Sequence, residues 1–208
     1  MSGDERFASV TPAGCYHAIE GRETTPVRTA LLALLGDGGT PALDTLDVTV
    51  RSHLDALVAA GFVALVERAE ILPPGNLAEL LPSVLPALSE RGRVVLTESR
   101  QGLFLDYVGV DGDEAEEVAV LASGLRATAD RATKLLGDRL GVHSRAFGIV
   151  DPAGNSEIGF WPLHIGHNVF TLTILGIPRF NSPQFRLLVW ALVERYGQTG
   201  VDPEPTHV

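Results

Sequence analysis

An α+β protein built from two successive segments is predicted by three features of the 208-residue chain. The first third is dominated by helical spacing of apolar residues. From Leu77 onward helical and period-two runs follow one another in the order helix, two strands, long helix, three strands, helix. The two regimes meet at "ILPPGN", Ile71 to Asn76, where two prolines and a glycine punctuate the chain. The predicted units are therefore 25–70 and 77–197.

In the first unit Pro26 suits the first turn of a helix that carries Val27, Ala30, Leu31, Leu34 and Leu35 at helical spacing until "GDGG" stops it. Thr40 followed by Pro41 predicts a short second helix over Ala42 to Leu46. Val50, Leu54, Leu57 and Val58 mark a third helix ended by Gly61, and "FVALVER" reads as a strand. Three helices and a strand, with "VRSHLDALVAAGFV" at the junction, resemble the winged-helix family. Only "DVT" separates the second helix from the third, which leaves a recognition helix about a turn short of the family pattern. Arg28, Arg51 and Arg68 face Asp37, Asp44, Asp47, Asp55, Glu67 and Glu70, a poor phosphate clamp. The first 24 residues carry no legible pattern.

In the second unit Leu77, Leu80, Leu81, Val84, Leu85 and Leu88 keep helical spacing, and Pro82 and Pro86 predict a kinked helix. "RVVLTES" and "GLFLDYVGV" flank a "SRQG" turn as a hairpin. "DGDEAEE" places Asp113, Glu114, Glu116 and Glu117 at the start of the long helix, where free backbone N–H groups favour negative charge. These acids need no catalytic role. The helix is expected to turn Val118, Leu121, Ala122, Leu125, Ala129, Ala132 and Leu136 to the sheet, and to show Ala119, Ser123, Arg126, Asp130 and Thr133 beside that stripe. "HSRAFGIVD", "SEIGFWPLHI" and "VFTLTILGI" are three more strands, joined by "PAGN" and "GHN" turns, before a last helix capped by Asn181 or Ser182.

This order, with "DYVGVDGDEAEEVAVLASGL" leading into the long helix and "FTLTILGI" as the central strand, resembles the Roadblock/LC7 family over 77–197. The resemblance implies an α-β-β-α-β-β-β-α domain whose five-stranded antiparallel sheet carries the long helix on one face and the terminal helices on the other. It also implies dimerisation through paired long helices and third strands. That would put Ala115 to Leu136 and His143 to Asp151 at the interface, with Ala115, Ala119, Ser123, Arg126, Asp130, Arg145 and Phe147 as its contact residues. Bacterial members act with small Ras-like GTPases, so the implied partners are a second copy and such a GTPase or another signalling protein.

Composition narrows the alternatives. With 45% hydrophobic and 20% charged residues the chain reads as globular, and its apolar stretches are broken well before the ~20 residues of a membrane span. "MSGDERFASV" has no signal-peptide character, so a cytoplasmic location is expected. The net charge of −10 opposes nucleic-acid binding. Among 16 basic residues only Lys134 is a lysine, a bias of high-GC bacterial genomes.

Catalytic and metal motifs are weak throughout. Cys15 stands alone. "HIGH" offers His164 and His167 across a strand turn with no third ligand at motif spacing, and neither "GDGG" nor "GVDGDE" has a phosphate-loop lysine. No G-x-S-x-G elbow is present. No cofactor, metal or catalytic residue is nominated. Trp161, with Phe160 on the opposite strand face and Arg145 nearby, forms a candidate partner-binding patch, as do Tyr107 and Arg100 on the first hairpin. The sequence thus predicts a dimeric, non-enzymatic signalling regulator or scaffold. The alternative is a transcriptional regulator whose first unit binds DNA and whose second dimerises.

Overall fold

A computed structural model describes residues 6–36, 38–73, 76–98, 103–132, 134–142 and 146–197. The opening residues, unreadable in sequence, form strand β1 (Phe7–Val10) and helix α1 (Pro12–Ile19). Thr11 caps α1 by accepting from the Gly14 N–H at 3.2 Å, and Pro12 takes the first helical position, where no N–H is needed. Helix α2 (Pro26–Leu35) opens on Pro26 as predicted, with Thr25 as its cap. Helix α3 (Val48–Ala59) is capped by Asp47 and followed by Gly61 at φ +73°, after which strand β2 (Val63–Val66) pairs antiparallel with β1.

The short helix expected over Ala42 to Leu46 is a turn instead. Ala42 bridges Phe7, the Ala8 N–H donates to the Pro41 carbonyl, and the Leu43 N–H donates to the Arg6 carbonyl. Backbone groups committed to β1 cannot also build a helix. Of the winged-helix-like pattern, the helix before α3 is therefore replaced by chain paired to the unforeseen β1.

The second unit has the predicted element order. Asn76 caps helix α4 (Leu77–Val84), which contains Pro82 and tightens into a 3-10 turn at Leu85–Leu88, the irregularity the prolines foretold. Strands β3 (Arg93–Glu98) and β4 (Leu103–Val108) form the hairpin, helix α5 (Gly112–Arg131) is the long helix, and a π-helical segment Lys134–Arg139 follows it. Strands β5 (Phe147–Val150), β6 (Ser156–Ile165) and β7 (Asn168–Leu175) precede helix α6 (Pro183–Tyr196), capped by Ser182. The five strands make one antiparallel sheet in the order β4-β3-β7-β6-β5.

Strand alternation divides this sheet into two unlike faces. Val94, Leu96, Phe170, Leu172 and Ile174 join the main core with α4 and α6. Their neighbours Val95, Thr97, Thr171 and Thr173, all buried, lie on the opposite face, where α5 packs across β4, β3 and β7. α6 lies between layers. It touches α4 and β6 on one side and α1 and α2 on the other, and its Phe185, Leu188, Val189, Trp190, Ala191, Leu192 and Val193 are all buried. The two predicted units consequently share one apolar core, running from Ala8 and Leu31 through Leu81 and Phe170 to Val193.

Candidate functional site

The long helix begins with a complete capping box. Asp111 accepts from the Glu114 N–H at 2.8 Å while the Glu114 carboxylate accepts from the Asp111 N–H at 3.2 Å. Glu114 also pairs with Arg93 at 3.4 Å. The acids of "DGDEAEE" thus start the helix, as predicted for carboxylates at a helix N-terminus.

The faces of α5 differ from the sequence expectation. Its buried residues are Ala115, Ala119, Ala122 and Ala129, a stripe at 4-3-7 spacing. Alanine allows the helix to lie close over a face of threonines and Val95. Ala115 and Ala119, expected among the residues available to a partner, are instead turned to the sheet of their own chain. Leu121, expected inward, is 47% exposed, and Val120 is 72% exposed. Gly124 is also exposed, and a Cβ built there would meet nothing within 4 Å. Ser123 is half-buried, and Arg126 forms an i,i+4 ion pair with exposed Asp130 at 3.1 Å. The outward apolar pair escaped the sequence reading because helical spacing alone supports two inward stripes, one of alanines and one centred on Leu121.

At the far side of the sheet, β5 is an edge strand that among the described residues pairs only with β6. Phe147 is half-buried, whereas Ile149 and Val150 are 57% and 58% exposed. Two exposed aliphatic residues on an unpaired strand edge form a template for another chain. Arg145 lies outside the described residues, as does Arg100.

Trp161 faces inward. It points to the α6 side of the sheet, edge-on to Phe180 at 5.0 Å, and Phe180 stacks on Tyr16 at 5.8 Å and contacts Phe185 at 4.8 Å. Its ring also lies over Gly159, where a Cβ would come within 2.2 Å of the indole. The aromatic cluster joins α1 to the sheet and α6. Phe160, on the opposite face as predicted, is buried. Tyr107 is half-buried with Phe104 edge-on at 5.1 Å, and its hydroxyl lies near Gly112 at the start of α5.

Cys15 is fully buried, and burial pushes its thiol up to about 12, against a smaller opposing effect of the Arg186 charge. At neutral pH it is a packed apolar group without thiolate character. His164 is on β6 and His167 in the β6–β7 turn, and among the described residues no cluster of three or more His, Cys, Asp or Glu could hold a metal ion. No helix of the described residues is long and apolar enough to cross a membrane.

A crystal structure of a Roadblock/LC7 domain from Streptomyces avermitilis is similar to this chain, at 19% identity and a TM-score of 0.37, covering 58% of this chain and 93% of that one. No family model matches the sequence. No curated protein matches it either.

Proposed function

We propose that residues 77–197 form a Roadblock/LC7-type domain and that the chain is a non-enzymatic signalling regulator or scaffold. In this reading it works as a homodimer and acts on a small Ras-like GTPase. The order α-β-β-α-β-β-β-α around a five-stranded antiparallel sheet supports the first part. The observation that supports the homodimer is a pair of surfaces on that domain: the outward face of α5 with Val120 and Leu121, and the edge of β5 with Ile149 and Val150. Large apolar side chains at such exposure favour a partner that covers them. A two-fold axis would match α5 with α5 and β5 with β5, burying the same residues on both copies and continuing the sheet across the interface.

The DNA-binding alternative has no comparable observation behind it. Arg51, the basic residue of α3, donates to the carbonyls of Leu43, Asp44 and Leu46 and so braces the preceding turn.

Light scattering at micromolar concentration tests the dimer, with twice the chain mass expected. The regulatory step is tested by single-turnover hydrolysis and nucleotide exchange of a candidate GTPase with and without the dimer. A change in either rate supports the proposal. A monomer, or a dimer that neither binds nor alters any small GTPase of its source, sends the assignment elsewhere.

A further inference from the structure

One of the clefts of the molecule is lined by none of Val120, Leu121, Ile149 and Val150. It opens between the α1–α2 loop, the β6–β7 turn and the middle of α5, has a volume of about 480 Å³, and is lined by Arg22, Arg28, Arg126, His164, His167 and Asn168 among others. Three arginines and two histidines converge there in a chain of net charge −10. Among the described residues Glu23 is the one carboxylate in its lining.

The cations are not equally committed. Arg28 is occupied: its Nε donates to the His17 carbonyl at 3.1 Å, Nη1 to the Glu23 carbonyl at 3.0 Å, and Nη2 pairs with Glu20 at 3.5 Å. Arg126 is half occupied. Its Nη1 pairs with Asp130, while its Nε is shielded from solvent and finds no acceptor among the described residues. The donors left for a ligand in the cleft are those of Arg22, His167 and the part of the Arg126 guanidinium that Asp130 does not hold. Arg22 and His167 are exposed at the rim and form no ion pair or hydrogen bond with the described residues.

From this arrangement we infer that the cleft binds the phosphate group of a small soluble molecule. The donors come from three elements, so the acceptor must present oxygens in several directions. A tetrahedral oxyanion does this, whereas a planar carboxylate is satisfied by a single guanidinium fork. The volume falls in the range of small-molecule sites, roughly 300–1,000 Å³. "HIGH" thereby acquires a role: it places two imidazoles at one mouth of an anion cleft. The inference stands apart from the regulator assignment, which uses none of these groups except Arg126.

Isothermal titration of the full chain with inorganic phosphate and with glycerol 3-phosphate, at constant ionic strength, tests it. One saturable site is expected, with affinity near the millimolar range for the bare anion. Arg22→Gln and His167→Gln, both at exposed positions, should each weaken binding, and Arg126→Gln should weaken it by roughly tenfold. Unfolding midpoints matching the parent protein verify that each variant is folded. Absence of saturable heat with both ligands, or equal affinity in the folded variants and the parent, overturns the inference.

Discussion

Arg186 on α6 donates a hydrogen bond to the carboxylate of Glu70, which follows β2, and the same guanidinium reaches the hydroxyl of Ser9 on β1. Ser9 in turn donates to Glu70 at 3.1 Å, and the Arg186 guanidinium lies 5.8 Å from the Trp190 ring centroid. The last helix of the chain is thus latched to its first strand. The Arg186 hydrogen bond holds the Glu70 carboxyl below its ordinary value of 4.5, against the opposing effect of partial burial. A carboxyl with a depressed folded-state pKa stabilises fully above its unfolded value and loses that contribution as pH falls through the folded one. Because Glu70 is substantially exposed, the pair contributes about 0.5–1 kcal/mol. Urea unfolding of Glu70→Gln should show that deficit at pH 7 and a shrinking one below pH 4.5. A deficit unchanged down to pH 3 would assign the effect to packing.

Gly14 records how closely α1 approaches β2. A Cβ at this position would sit 2.2 Å from the Phe62 carbonyl oxygen, a backbone atom that also accepts from the Thr11 N–H. Gly14→Ala must move the helix and is expected to cost about 1–3 kcal/mol. At Gly124, with open space around it in mid-helix, the same substitution should instead stabilise by about 0.5–1 kcal/mol. Denaturant midpoints of the two variants should move in opposite directions.

The second unit was legible because its elements are bounded by strong local signals: Asp111 with Glu114 at the start of α5, Ser182 with Pro183 at α6, and turns at Asp151 and Gly166. Asp151 shows how local such a signal is, accepting from the Ala153 and Asn155 N–H groups and from the Asn155 side chain. What stayed hidden depended on distant pairing. β1 has four residues and its partner β2 lies more than fifty positions away, so neither periodicity nor capping announces it. The sequence signal for the extra layer is "LLVWALV" in α6. A helix apolar on every side is enclosed on every side, which required a layer above α6, and residues 12–35 supply it. For the candidate site, the long helix and the strand after it form where the sequence predicts them, but helical spacing turns Leu121 inward where the structure buries alanines. Hydrophobicity favours leucine inward, while the space between α5 and the sheet is filled by alanines.

Beneath α5 the sheet buries a threonine hydroxyl. Thr173 is fully buried between Val95 and Phe160 in the sheet register, and its Oγ1 has no hydrogen-bond partner among the described residues. Thr173→Val keeps the shape and removes an unpaired hydroxyl, so it should raise stability by about 1 kcal/mol. Thr97 donates from its Oγ1 to the Thr171 carbonyl at 3.4 Å, so Thr97→Val should yield a smaller gain or a loss. Calorimetry of the two variants should rank them in that order. Equal gains would mean that the hydroxyls are equivalent and that Thr173 has a partner.

The orientation of α5 makes opposite demands on adjacent residues. Val120 and Leu121 are exposed within the single chain, whereas Ala119 is buried against the sheet. If a second copy covers the outward face, each aliphatic side chain removed from water contributes up to about 1.5–3 kcal/mol. A carboxylate there must be desolvated without a counter-charge or must hold the copies apart. Val120→Glu and Leu121→Asp should therefore halve the mass in light scattering while leaving unfolding of the dilute, dissociated chain within about 0.5 kcal/mol of the parent. Ala119→Glu places its charge against the chain's own sheet and should unfold the protein at any concentration. Full mass retained by both surface variants would take the interface off α5 and leave the β5 edge as the surface to test, with Ile149→Lys as the corresponding change.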